Sequence, residues 1–236
     1  MKILTWHSPR TGSNLLMNML HQTGIIGVAN YEQCGFPLGS IGTIKPHEFQ
    51  DKLQEYEASQ TTDNGVFNCK LSWEGLIHLI NQVGLAPVYA WLETIDKHVY
   101  LYRHDTIGQA VSMFIAGKRA YFSTLKLDKG ETILPTPDYS YEEIAYRRMI
   151  IERHRAEMET YFEDFCIEPL RISYEAMTIT ESSIQETVKL VLSYCGLECD
   201  KIEQIRPEIR KQVNPAKEQY KDRFLIDWAD RSDSPI

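Results

Sequence analysis

A strand–turn–helix pattern at residues 2–22 constrains the fold of this chain more than any other feature. The apolar residues from Ile3 to Trp6 predict a short buried strand, and those from Leu15 to Leu20 recur at helical spacing. A tight turn containing one proline and one glycine joins the two elements. We expect Ser13 to be the N-cap of the helix. The chain therefore begins its fold as an α/β unit with a short, sharply turned connection.

The turn after this strand is suited to binding an anion. A strand-to-helix turn leaves several backbone N–H groups unpaired, and the helix dipole adds positive potential at the same place. Arg10 adds a fork of donors that matches phosphate or sulfate oxygens. The turn is neither Gly-x-x-x-x-Gly-Lys-Ser/Thr nor Gly-x-Gly-x-x-Gly, which disfavours the usual nucleoside triphosphate and dinucleotide sites. From these residues alone, an ordinary capped turn with an incidental arginine stays an open alternative.

Composition and charge narrow the class of protein. A chain of 236 residues is long enough for one α/β domain with a substantial core. Its net charge of −8 argues against a general nucleic-acid-binding protein, which needs a basic face. An acidic protein that binds a multiply charged anion must concentrate its cations locally. The arginines beside turns are therefore more informative than the total charge.

The sequence also carries signals for location and redox state. It contains no apolar run long enough to span a membrane and no secretory signal at its start, so we expect a cytoplasmic protein without stable membrane insertion. Five cysteines without a Cys-x-x-Cys pair indicate reduced thiols. We predict no metal site.

Beyond the first helix, strands and helices alternate, which predicts an α/β fold with a parallel sheet and helices on both faces. In helix 73–83, Leu76, Ile77, Ile80 and Val83 are expected to face inward. We treat residues 1–236 as one domain, with mobile loops near 25–46 and 117–139 and a C-terminal segment, 200–236, that wraps it. We expect Asp105 to cap helix 106–116. The predicted elements are helix 47–58, strand 66–71, helix 73–83, helix 88–95 (favoured over a strand), strand 98–102, helix 106–116, helix 141–165, strand 169–174 and helix 182–194.

The turn resembles a known motif. Ser8-x-Arg10-Thr11-Gly12-Ser13-x-Leu15-Leu16 is similar to the phosphosulfate loop of the bacterial sulfotransferases typified by trehalose 2-sulfotransferase. Three further stretches agree in order and spacing, so the resemblance covers almost the whole chain. It implies a P-loop-like α/β sulfotransferase domain whose sulfuryl donor is 3′-phosphoadenosine 5′-phosphosulfate (PAPS), without a need for magnesium. These stretches are Asn64-Gly65-Val66-Phe67-x-x-Lys70-Leu71-x-Trp73, Tyr102-Arg103-x-Asp105-x-x-x-Gln109-Ala110-Val111-Ser112, and a tail around Gln212 to Phe224.

The resemblance implies which residues bind the donor. Arg103 and Ser112 correspond to the 3′-phosphate site, and an arginine at the carboxyl end of a strand does meet the crevice where open α/β sheets bind ligands. A helix-surface arginine and a core serine are the alternative. Gln212 and Asn214 lie where the family folds a segment over the nucleotide. The residues implied for the 5′-phosphosulfate are Ser8, Arg10, Thr11, Gly12, Ser13 and Asn14.

The expected catalytic residues are Arg10, Lys70 and Glu32. Arg10 would stabilise the leaving oxygen. Lys70 would stabilise either that oxygen or the hydroxyl being deprotonated, although it also fits a solvent-facing lysine at a strand end. A general base must take the proton from the acceptor hydroxyl, and relatives have a glutamate in the loop after the first helix. An ungapped count places Tyr31 there and Glu32 next. We predict Glu32 as the base, with Lys70 or His7 as alternatives.

The acceptor and the reaction class leave alternatives open. The resemblance implies transfer to a hydroxyl of a carbohydrate, glycolipid or small metabolite, with PAP (adenosine 3′,5′-bisphosphate) as product, and a homodimer. Residues 116–122 depart from the family pattern, so trehalose is not assumed, and Lys118 and Arg119 point to an anionic acceptor. The alternatives are a P-loop-like kinase, which would need magnesium, and a non-catalytic PAPS- or PAP-binding module.

Overall fold

The computed structural model describes residues 1–27, 44–119, 135–208 and 214–232. The predicted loops near 25–46 and 117–139 lie largely outside these ranges. Within them the chain forms four strands, nine α-helices and two short 3₁₀ helices at Pro46–Glu48 and Ile202–Gln204. The strands and α-helices are β1 Lys2–His7, α1 Ser13–Gln22, α2 Phe49–Ser59, β2 Phe67–Ser72, α3 Trp73–Val83, α4 Leu85–Leu92, β3 Lys97–Tyr102, α5 Thr106–Lys118, α6 Tyr141–Asp164, β4 Leu170–Ser173, α7 Tyr174–Met177, α8 Glu181–Tyr194 and α9 Ala216–Ser232.

The four strands form one parallel sheet in the order β2-β1-β3-β4, which confirms the predicted fold class. β1 pairs with both neighbours, so that Thr5 lies opposite Lys70 on β2 and Val99 on β3. After β1, the chain forms β2 on one side of β1 and then crosses over to form β3 on the other side of β1. Connections therefore diverge between the carboxyl ends of β1 and β3, which is where open α/β sheets bind ligands.

Both faces of the sheet are covered. On one face, Leu4 and Trp6 pack in a buried cluster with residues of α2, α3, α4 and α6. On the other face, Ile3 packs in a second cluster with residues of α1 and α8. Because successive side chains of a strand alternate between faces, this arrangement buries β1 on both faces from Ile3 to Trp6. The carboxyl ends of the strands form the edge at which open α/β sheets bind ligands.

A third cluster attaches the C-terminal helix. Phe224 on α9 is fully buried, and its ring stacks on that of Tyr141 with centroids 5.0 Å apart. Tyr220 on the same helix lies near Phe114 of α5. Part of the predicted C-terminal wrapping segment thus forms a helix that packs on α5 and α6.

Two local predictions are wrong. The N-cap of α1 is Gly12 and not Ser13, because the chain turns through a left-handed conformation at Gly12 (φ 82°) and Leu16 N donates to Gly12 O at 3.0 Å. Ser13 is already helical. Ile77, predicted to face inward, is 42% exposed, because the buried stripe of α3 runs through the neighbouring Leu76. Across the described ranges, no helix combines the length and apolar character needed to cross a bilayer.

Candidate active site

The turn between β1 and α1 has an unusual backbone. Arg10 and Gly12 both have positive φ, 70° and 82°, on either side of Thr11. For a residue other than glycine such a conformation costs about 1 kcal/mol or more, and it clusters at binding sites. Thr11 is fully buried and its hydroxyl donates to Ser8 O at 2.8 Å, so it holds the turn from inside. Turns that alternate in this way form concave arrays of N–H groups that bind anions.

Helix α5 holds the turn from outside. Gln109 donates through Nε2 to Ser8 Oγ at 2.8 Å and to Pro9 O at 2.7 Å. Arg10 donates through Nε to Ser112 Oγ at 3.2 Å. Gln109 and Ser112 are almost fully buried, so these contacts are shielded from water. The sequence assigned no role to Gln109, although it lies inside the motif that follows β3.

Ser112 has a contact that the sequence did not predict. The resemblance assigned Ser112 to the 3′-phosphate together with Arg103, and in the structure its hydroxyl accepts from Arg10. Two helical turns separate Ser112 from the start of α5, and at this position it contacts the β1–α1 turn. Ser112 is thus a partner of the residue proposed for the 5′ end.

The ring of Tyr174 connects Arg103 to the turn between β1 and α1. Its guanidinium carbon is 4.7 Å from the ring centre of Tyr174, the first residue of α7. The same ring approaches Gly12 so closely that a Cβ there would lie 2.9 Å from Tyr174 Cδ2. A single tyrosine therefore contacts both the anion-suited turn and the arginine that follows β3. The two predicted donor-binding positions are neighbours.

Two carboxylates surround Arg103. Its Nε is 3.6 Å from Glu175 Oε1, and one of its terminal nitrogens is 3.7 Å from Asp105 Oδ2. Asp105 also caps α5, as predicted, by accepting from Gly108 N at 2.9 Å. Burial opposes ionisation of Asp105, but hydrogen bonds from Lys221 and Gly108 and the charge of Arg103 lower its pKa. The arginine is therefore held by ionised partners at neutral pH.

Glu175 also anchors the turn after β3. Its carboxylate accepts from His104 N at 3.0 Å and from Asp105 N at 3.2 Å. Burial opposes ionisation here too, but these backbone donors and Arg103 lower the pKa of Glu175. Sequence reasoning missed Glu175, because it lies far along the chain and no spacing links it to β3. The quoted motifs contained no signal for it.

Lys70 and His7 form the other side of the site. Lys70 is 8% exposed, and its Nζ donates to Asn14 Oδ1 in the first turn of α1. This contact excludes the alternative of a solvent-facing lysine. Burial and the charge of Lys70 lower the pKa of His7 to about 3, with a partly opposing contact of its Nδ1 to Ser8 O. At pH 7 the imidazole is neutral and the cation beside it is Lys70.

Asn214 has other partners than the residues of this turn, and two predicted residues fall outside the described ranges. Asn214 lies at the start of α9, where its Oδ1 accepts from Ala216 N at 3.0 Å and its Nδ2 donates to Thr136 Oγ1 at 3.3 Å. Glu32 and Gln212 lie outside the described residues.

Lys118, considered for an anionic acceptor, ends α5 and pairs with Glu143 on α6 at 2.8 Å.

These features define the class of the protein. A parallel α/β sheet that carries such a turn and flanking cations at the carboxyl ends of its strands is suited to binding anionic ligands. The residues that the structure gathers there are Ser8, Arg10, Thr11, Gly12, Asn14, Lys70, Ser112 and, through Tyr174, Arg103. The model of the Stf0 sulphotransferase family matches residues 3–227. The chain therefore belongs to this family of sulfotransferases. None of the curated proteins compared with the sequence matches it.

Proposed function

We propose that this sulfotransferase moves a sulfuryl group from PAPS to a hydroxyl of a carbohydrate, glycolipid or other small metabolite. The observation that carries the proposal is the contact of Tyr174 with both Gly12 and Arg103. It brings an anion-suited turn and a second cationic position close together, as a nucleotide with phosphates at both its 5′ and 3′ positions requires. Membership of the sulfotransferase family supplies the reaction class.

The proposed reaction is an in-line displacement. The acceptor oxygen attacks sulfur, the bond from sulfur to the 5′-phosphate oxygen breaks, and that oxygen leaves with the electron pair as part of PAP. Charge grows on the leaving oxygen, so donors held there in advance lower the barrier. Arg10 and the N–H groups of the turn occupy this position in the proposal. Lys70, held by Asn14, adds a buried cation nearby.

The acceptor proton needs a base. His7 was an alternative, but a pKa of about 3 makes its imidazole a weak proton acceptor at pH 7. Lys70 donates a hydrogen bond to Asn14. Its ammonium therefore acts as a donor and not as the base that accepts the proton. We therefore keep Glu32 as the proposed base, on the strength of the sequence.

Glu32→Gln is expected to lower kcat about a hundredfold and to leave PAP affinity unchanged, because only proton removal is lost. Steady-state kinetics and PAP titration of the same preparation check this. Tyr31→Phe is the control variant, because counting without a gap places Tyr31 at the position of the family glutamate. This variant should retain activity. A large loss in Tyr31→Phe with normal activity in Glu32→Gln would show that the base is assigned wrongly.

Arg103→Ala is expected to weaken PAP about tenfold while changing the affinity for adenosine 5′-phosphate (AMP) less than twofold, because the two ligands differ in the 3′-phosphate. Isothermal titration measures both. Arg171→Ala removes a comparable arginine–glutamate pair, between Arg171 on β4 and Glu159 on α6, and should change neither affinity. Equal losses for PAP and AMP would mean that Arg103 does not recognise the 3′-phosphate.

The function is tested with labelled PAPS. The protein is incubated with a panel of saccharides, glycolipids and hydroxylated metabolites, with and without EDTA, and labelled products are separated. We expect label transfer that EDTA does not reduce, and binding of PAP in preference to ATP. Magnesium-dependent phosphate transfer from ATP would favour a kinase. Tight PAP binding without transfer to any member of the panel would favour a non-catalytic module.

A further inference from the structure

We infer that Lys221, on the C-terminal helix α9, is the second cation of the proposed 3′-phosphate site and determines whether that site accepts a dianion. This inference rests on the proposed function. The sequence assigned only Arg103 and Ser112 to this phosphate, and Ser112 is uncharged. Arg103 is therefore the one cation assigned there from sequence, and within the described residues the fold brings Lys221 beside it.

Lys221 and Arg103 share one carboxylate oxygen. Lys221 Nζ donates to Asp105 Oδ2 at 2.8 Å, and the same oxygen is 3.7 Å from a terminal nitrogen of Arg103. The two cationic nitrogens can be no farther apart than these two distances together. Since each charge-assisted hydrogen bond spans about 2.8 Å, two oxygens of one phosphate can reach both nitrogens.

Charge balance explains why one arginine is insufficient. Arg103 lies against two carboxylates, those of Asp105 and Glu175, and both have a lowered pKa. Without Lys221 the carboxylates would outnumber the cation, and the local field would repel a phosphate dianion. Lys221 brings the cluster to neutrality and presents its ammonium beside the guanidinium. An arginine flanked by acids becomes a phosphate site only with this second cation.

The fold does not need this lysine. Asp105 uses Oδ1 for the cap on Gly108 and Oδ2 for Lys221, so the cap persists without the lysine. The side chains of Lys221 and Asp105 are about one-third exposed, and ion pairs of this kind add little to stability. Helix α9 is held in place by buried Phe224. A loss of ligand affinity can therefore be separated from a loss of structure.

The test compares PAP and AMP by isothermal titration in Lys221→Met, which keeps the apolar part of the side chain and removes the charge. We expect PAP affinity to fall about tenfold, AMP affinity to change less than twofold, and the melting temperature to stay close to that of the wild type. Lys189→Met, which loses an ion pair with Glu203 elsewhere on the protein, is the matched control and should bind both ligands normally.

A second variant tests the charge balance itself. Adding Asp105→Asn to Lys221→Met removes one negative charge and keeps a good N-cap residue, so PAP affinity should recover in part. Equal losses for PAP and AMP in Lys221→Met, no loss at all, or no recovery in the double variant would overturn the inference. A wild-type protein that binds PAP no more tightly than AMP would instead contradict the proposed function itself.

Discussion

Replacing Arg10 by alanine is expected to lower sulfuryl transfer about a thousandfold while the protein stays folded. Arg10 lies in the turn where the leaving oxygen would be bound, and a positioned guanidinium there stabilises charge that develops only in the transition state. Alanine retains a Cβ, so the backbone strain of the positive φ is unchanged. The variant tests the side chain and not the shape of the turn.

Turnover of labelled PAPS and the thermal melting temperature are the measurements for Arg10→Ala. Arg10→Lys should recover only part of the activity, because an ammonium lacks the fork of parallel donors. Arg153→Ala is the control, since this exposed arginine of α6 pairs only loosely with Glu157, at 3.7 Å. Undiminished turnover in Arg10→Ala would contradict the assignment of the turn to the sulfonated end of the donor.

Gly12→Ala is expected to lower the free energy of unfolding by about 1–3 kcal/mol and to reduce transfer by more than tenfold. The left-handed φ of 82° disfavours any side chain, and the new Cβ would lie 2.9 Å from Met177 Cε and from Tyr174 Cδ2. Met177 has a flexible end that can move, but Tyr174 presents a ring that also stacks on Arg103. Displacing this ring disturbs both halves of the donor site.

Gly24→Ala separates strain from displacement. Gly24 has a similar φ of 72°, and a Cβ there would meet no atom within 4 Å. This control should lose stability through the same backbone strain but keep the kcat of the folded protein. Denaturant unfolding and kinetics on both variants provide the comparison. If the two variants lose activity equally, the contact between Gly12 and Tyr174 does not matter for transfer.

Local signals in the sequence predicted much of the fold. The bounds of α3 were predicted to the residue, and β3 and α8 each begin one residue earlier than predicted. The cap by Asp105 was also predicted, because capping depends on residues three positions apart. Such features follow from propensity and periodicity over a few turns. The N-cap of α1 was missed, since a serine in the right place says nothing about a left-handed glycine before it.

The candidate site was predicted less completely, because its contacts join distant parts of the chain. Arg10 and Lys70 were identified from motifs, but the partners that hold Arg10 and Arg103 were not. Neither the contact of Arg10 with Ser112 nor the pairing of Arg103 with Glu175 follows from spacing. Such pairings are decided when helices pack against the sheet.

The central place of β1 in the sheet has a consequence for biosynthesis. β1 and the Arg10 turn are made first, yet β3 and the α5 residues that hold this turn are translated about a hundred residues later, and Tyr174 later still. Until those segments leave the ribosome, β1 lacks its β3 neighbour and the α5 residues that hold the turn, so this side of the strand is exposed to chaperones and to aggregation. Nascent chains arrested before Tyr174 should therefore be protease-sensitive throughout and unable to retain nucleotide.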